Sequence, residues 1–128
     1  MIFAKRVYRI AGIYGLIVLL PQYFLEAKNG RDYPPAITHP EYYYGFVGIA
    51  VAWQLAFLII STDPVRYRPL MIAAMLEKAT FFAALVILFT LGRAHLMMLG
   101  AASLDMMFGL LFAAAYAKTA ASPVAVRL

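Results

Sequence analysis

A chain of 128 residues holds one domain, and 65% of this one is apolar or aromatic while only 13% is charged, against roughly 45–50% and about 25% in ordinary soluble domains. A water-soluble body this small cannot hide so much apolar surface, so lipid is the solvent the composition calls for. The net charge of +5 does not mark a nucleic-acid binder, because the basic residues flank apolar runs instead of forming one face, and the absence of cysteine removes disulfides, thiolate chemistry and cysteine-based metal sites.

The first apolar run, about residues 7–25, follows Lys5, Arg6 and Arg9 and reads IAGIYGLIVLLPQYFL, near the ~20 residues that cross a hydrocarbon core. It begins like a signal peptide. The stretch after it, EAKNGRDY, offers no small-x-small cleavage site and three more apolar runs follow, so it is read as a retained span with Pro21 bending its outer end. A turn-rich loop over 26–41, containing Asn29-Gly30 and Pro34-Pro35, leads to the second run at 42–61. His39 and Glu41, either side of Pro40, mark the turn that starts this helix. They also make an outer-mouth pair, but two ligands without a third do not make a metal site, and none is assigned.

The loop 62–69 carries Asp63-Pro64, read as an N-cap with proline at the first helical position. The third run covers 70–92, Gly92-Arg93 breaks it, and the fourth covers 95–117. The fold class predicted is therefore all-α, a four-helix transmembrane bundle in a single membrane domain. Its partner is the lipid bilayer, joined by further copies in a homo-oligomer or by the other chains of a larger membrane complex.

Lys5, Arg6, Arg9, Arg66, Arg68, Lys118 and Arg127 fall on one side of these spans, against Lys28, Arg31 and Arg93 on the other. By the positive-inside rule both termini and the 62–69 loop are cytoplasmic, the 26–41 loop is outside, and the chain is a multi-pass protein of the cell (inner) membrane. Tyr23, Tyr33, Tyr42, Tyr43 and Tyr44 then lie at the outer interface, and Tyr8 and Tyr67 at the inner one. Arg66 and Arg68 come at headgroup level, where each contact with anionic lipid contributes about 1 kcal/mol.

Helices associate in lipid where small residues let backbones approach. Ala11 with Gly15, Gly48 with Ala52, and the stripe Ala101, Asp105, Gly109, Ala113 supply such positions on the first, second and fourth spans. Six methionines, Met71, Met75, Met97, Met98, Met106 and Met107, are read as soft fillers of the interfaces.

Ionisable groups at membrane depth cost about 2.5–3.5 kcal/mol each at the helix centre. Counted from the outer ends at 1.5 Å per residue, Asp105 lies ~15 Å down, Gln54 ~18 Å and Glu77 ~22 Å. The three share a depth band and form the candidate polar intramembrane cluster, provided their helices turn toward one another. Neighbours on a helix point about 100° apart, so Lys78 is not expected to pair with Glu77; it snorkels to the cytoplasmic headgroups or reaches an acid on another helix.

The sequence has no Gly-rich phosphate loop, no His-Glu-x-x-His, no Gly-x-Ser-x-Gly and no paired axial histidines, so no cofactor is assigned. With the segments HPEYYYGF, AWQLAFL, DPVRYRP and LEK, and a last span reading LDMMFGLLFAAAY, the chain resembles small bacterial four-helix membrane proteins of a loosely DoxX-like kind over residues 5–118. The resemblance implies a membrane-embedded accessory or quinone-related subunit. Three functions follow from the residues. The first is an accessory or assembly subunit of a membrane complex. The second is a small enzyme or binding protein for a lipid-soluble substrate, with Glu77 and Asp105 as acid or base and Trp53, Tyr44 and Phe108 lining the site. The third is an oligomeric proton or ion conduit through Asp105.

Overall fold

The computed structural model describes residues 2–119. All regular structure among them is helical: α1 (Ile2–Leu19), a 3-10 turn (Leu20–Phe24), α2 (Glu26–Asp32), α3 (Pro40–Thr62), α4 (Arg68–Thr90) and α5 (Leu96–Lys118). Helices α3, α4 and α5 are each long and apolar enough to cross a membrane. The first segment differs from them, because the helix through Phe24 turns by 92° into α2.

The turn has a local cause. Pro21 has no N–H to donate, so the α-helix stops at Leu19 and the chain tightens into the 3-10 turn. Helix α2 lies within the segment 26–41 that the sequence marks as a loop, so the structure corrects that expectation. Glu26 in its first turn and Arg31 in its last complement the helix dipole. A hydrogen bond from Lys28 to Asp32, one turn on, holds the lysine ammonium above its ordinary pKa.

A polar knot ties α2 down. Asn29 Nδ2 donates to Gln22 Oε1 at 2.8 Å and to the Tyr43 hydroxyl at 3.0 Å, and that hydroxyl donates to the Gln22 carbonyl at 2.7 Å. Tyr43→Phe removes the shared group and is expected to cost ~1 kcal/mol locally. Limited trypsinolysis in detergent should then cut faster at Lys28 and Arg31 while the melting temperature of the long helices holds.

The ends of the long helices depart from expectation by a few residues. Helix α1 begins at Ile2, drawing Lys5, Arg6 and Arg9 into its first turns. Asp63 does not cap α4: its Oδ1 accepts from the Arg66 N–H at 3.2 Å, closing a separate turn, and α4 starts at Arg68 with Pro69 beside it. Gly92, at φ 70°, takes the left-handed conformation that ends α4, a geometry that favours glycine. His95 caps α5 through Nδ1, which accepts from the Met97 N–H at 3.0 Å.

Helix α1 packs along α3, and α4 along α5; α1 also meets α5, whereas α3 and α4 make only slight contact. At the α1–α3 crossing Gly12 and Gly15 bring the backbones together, and a Cβ on Gly12 would lie 2.9 Å from the Gln54 carbonyl oxygen. The core at one end is aromatic. Tyr8 of α1 stacks on Phe112 of α5 at 4.2 Å, and Phe57 of α3 stands edge-on to Phe112 at 4.9 Å, above the buried Met71 and Ala74 of α4.

Two cation–ring contacts mark the same end. Lys118 Nζ sits 4.2 Å above the Phe3 ring, and Arg68 Cζ 3.6 Å above Tyr116, whose carbonyl accepts from Arg68 Nε at 3.2 Å. The start of α1, the start of α4 and the end of α5 therefore lie together. At the opposite end Tyr33 meets His95 at 4.8 Å, and Tyr23 stacks on Tyr44 at 6.2 Å. Arg127, counted above with the first group, lies outside the described residues.

Candidate functional site

Among the described residues Lys78 is the most buried charge, 4% exposed in the middle of α4. It fits there because α5 carries Gly109 opposite: a Cβ on that residue would come within 3.0 Å of Lys78 Cβ. The ammonium reaches past Gly109 and donates to Asp105 Oδ1 on α5 at 3.2 Å, with the Phe57 ring 5.2 Å from Nζ. Asp105 and Gly109, one turn apart, thus form the face that α5 turns to α4. Ala101 and Ala113, the other members of the small-residue stripe, are exposed.

Glu77 completes the group. Its Oε2 lies 3.7 Å from Lys78 Nζ, close enough for ionic attraction but too far for a hydrogen bond, and this oxygen is buried with no hydrogen-bond partner. The expectation that Glu77 and Lys78 would not pair is therefore corrected. Their Cα–Cβ directions do diverge, but the four-carbon lysine stem carries Nζ back between the two acids. One ammonium faces two carboxylates, so the fully ionised group has one excess negative charge.

Gln54 stands elsewhere. Its Nε2 donates to the Ala50 carbonyl of its own helix at 2.9 Å, and the rest of the carboxamide packs on Gly15 of α1. It is 2% exposed and its Oε1 has no partner. The structure thus brings Glu77 and Asp105 together through Lys78 and leaves Gln54 in the α1–α3 seam. Sequence depth alone does not separate these cases, because it fixes height but not rotation.

No known protein family, curated protein or solved structure matches this chain. Its chemistry is read from the site alone.

A groove of about 280 Å³ opens between α3 and α4, which make only slight contact. Phe46, Ile49, Ala50 and Trp53 line one wall, and Glu77, Thr80 and Phe81 the other. Phe46 and Phe81 face each other across it with centroids 5.9 Å apart. The Thr80 hydroxyl is spent on the Leu76 and Glu77 carbonyls of its own helix, so Glu77 alone brings an ionisable group to the groove. Of the three aromatics expected around Glu77, only Trp53 lines it; Phe108 is buried against Tyr14, and Tyr44 lies by Tyr23 at the far end. The groove was legible in principle as Phe46, Ile49, Ala50, Trp53 at i, i+3, i+4, i+7, facing Glu77, Thr80, Phe81 at i, i+3, i+4.

The remaining candidates are peripheral. His39 Nδ1 lies 3.2 Å from Glu41 Oε1, both exposed at the start of α3, and the described residues contain no group of three potential metal ligands. Arg66 is exposed with its guanidinium 5.5 Å from the Tyr67 ring centroid, while Arg68 is engaged by Tyr116.

Proposed function

We propose that this chain is a four-span integral protein of the cell (inner) membrane that serves as an accessory or assembly subunit, with both termini cytoplasmic. In this reading α1 and its 3-10 turn make the first span, α2 lies along the outer surface, and α3, α4 and α5 make the other three. The shared end of Lys5, Arg6, Arg9, Arg68 and Lys118 supports the orientation, because it gathers basic residues where the positive-inside rule requires them. The loosely DoxX-like layout agrees with a membrane-embedded accessory role.

The observation that carries the subunit reading is the uncovered outer half of α5. Leu96, Met97, Gly100, Ala101 and Leu104 form a shallow apolar face there, and nothing lies within 4 Å of a Cβ placed on Gly100. Lipid tails cover such a face as well as any helix, but small residues at its centre are what helix association in a bilayer uses. The Lys78–Asp105 hydrogen bond, in turn, ties α4 to α5.

Native mass spectrometry from mild detergent or nanodiscs tests this. A defined oligomer or a co-purified protein is expected, lost in Gly100→Leu with the helical circular dichroism intact. A wild-type chain released only as a monomer under the mildest conditions would overturn the subunit reading.

A further inference from the structure

We propose that the α3–α4 groove is a binding site for an amphiphilic monovalent cation, a small molecule with an apolar or aromatic body and a bulky ammonium-like or phosphonium-like charge. This goes beyond the subunit role, because the groove lies away from the α5 face.

Three features converge on that ligand class. First, the Lys78 group is unbalanced. Asp105 holds the ammonium at 3.2 Å in a hydrogen bond and Glu77 stands at 3.7 Å without one, so with both acids ionised the set carries one negative charge that a second cation would balance. Second, Glu77 lines the groove with its side chain 21% exposed, so a balancing charge has a place beside it. Third, the walls are aromatic. Phe46, Trp53 and Phe81 line the groove, with Phe46 and Phe81 stacked on each other, and an aromatic wall attracts a cation that has shed its water by up to about 2 kcal/mol.

A small hydrated metal ion does not fit this lining, which offers one carboxylate and a hydroxyl already committed to backbone. With both acids ionised, the net charge repels an anion. A neutral hydrogen-bond acceptor would fit only if Glu77 carried a proton, and the choice of probe separates that case. An amphiphilic cation partitions into the bilayer and reaches the groove from the lipid side at the depth of Glu77.

Trp53 lines the groove and is the only tryptophan in the chain, so its emission reports occupancy directly. Purified protein in uncharged maltoside micelles is titrated with methyltriphenylphosphonium and, separately, with neutral triphenylphosphine oxide. Saturable quenching by the cation is expected, at least tenfold tighter than by the oxide, with one bound cation per chain by equilibrium dialysis. Glu77→Gln should weaken it at least tenfold and Glu77→Asp should retain most of it. Thr80→Phe, which fills the groove and leaves every charge in place, should abolish it without lowering the melting temperature. Equal binding of cation and oxide, wild-type affinity in both Glu77→Gln and Thr80→Phe, or a Trp53 signal that never saturates would each overturn the assignment.

Discussion

Lys78→Met should destabilise the protein by about 3–5 kcal/mol, the cost of removing one partner from a buried ion pair. Lys78 is 4% exposed, and removing its ammonium leaves Asp105 without its hydrogen-bond donor and Glu77 without its nearest cation. Methionine fills a similar volume beside Gly109, so packing loss contributes little and the effect is electrostatic. Thermal or SDS-induced unfolding followed by circular dichroism measures it. The triple variant Lys78→Met, Glu77→Gln, Asp105→Asn removes all three charges together and should recover most of the loss, because the desolvation cost disappears along with the attraction. If the single variant melts like wild type, the ammonium does not hold α4 to α5. If the triple variant stays as unstable as the single one, the loss comes from packing and the electrostatic account fails.

The parts of this structure legible in the sequence are those governed by hydropathy and turn chemistry. The long apolar runs became α3, α4 and α5 within a few residues, because length and composition fix what a bilayer-crossing helix needs. Gly92 ends α4 and His39-Pro40 opens α3, each through a local backbone preference that a single residue carries. Helix α2 is not legible in the sequence because EAKNGRD has no apolar period; Gln22 and Tyr43, distant in sequence, hold it in place through Asn29. Met71 is a core filler, but Met97, Met98 and Met107 are exposed, since composition does not say which face of a helix turns inward.

The same distinction explains the site. Glu77, Asp105 and Gln54 were grouped by depth, and depth is a one-dimensional coordinate. Rotation about the helix axis decides who meets whom, and here it is set by glycines. Gly15 receives Gln54 on the α1–α3 side, and Gly109 receives Lys78 on the α4–α5 side. Both Gln54 and Lys78 lie against a residue without a Cβ on the facing helix. That pairing is readable from the sequence only after the helix partners are known.

Gly12→Ala should produce the second large loss, about 1–3 kcal/mol, the usual range for overpacking a filled interface. A Cβ there would lie 2.8 Å from Leu58 Cδ2 and Cγ and 2.9 Å from the Gln54 carbonyl oxygen. Leu58 can rotate away, but the carbonyl belongs to the α3 backbone, so relief requires the two helices to separate. Gly45→Ala is the matched control. Nothing lies within 4 Å of its Cβ, and alanine in an exposed helix position should hold or raise stability by up to about 1 kcal/mol. A difference of several degrees in melting temperature between the two variants checks the crossing, and equal melting would mean that α1 and α3 do not meet at Gly12. Helix α1 has more at stake in this contact than its neighbours. It is not among the three helices that are long and apolar enough to span alone, and its first turns carry Lys5, Arg6 and Arg9. Its place therefore depends on packing against α3 and α5, and Gly12→Ala should loosen α1 before it disturbs the α4–α5 pair. Faster hydrogen exchange confined to residues 2–19 would be the signature of that order.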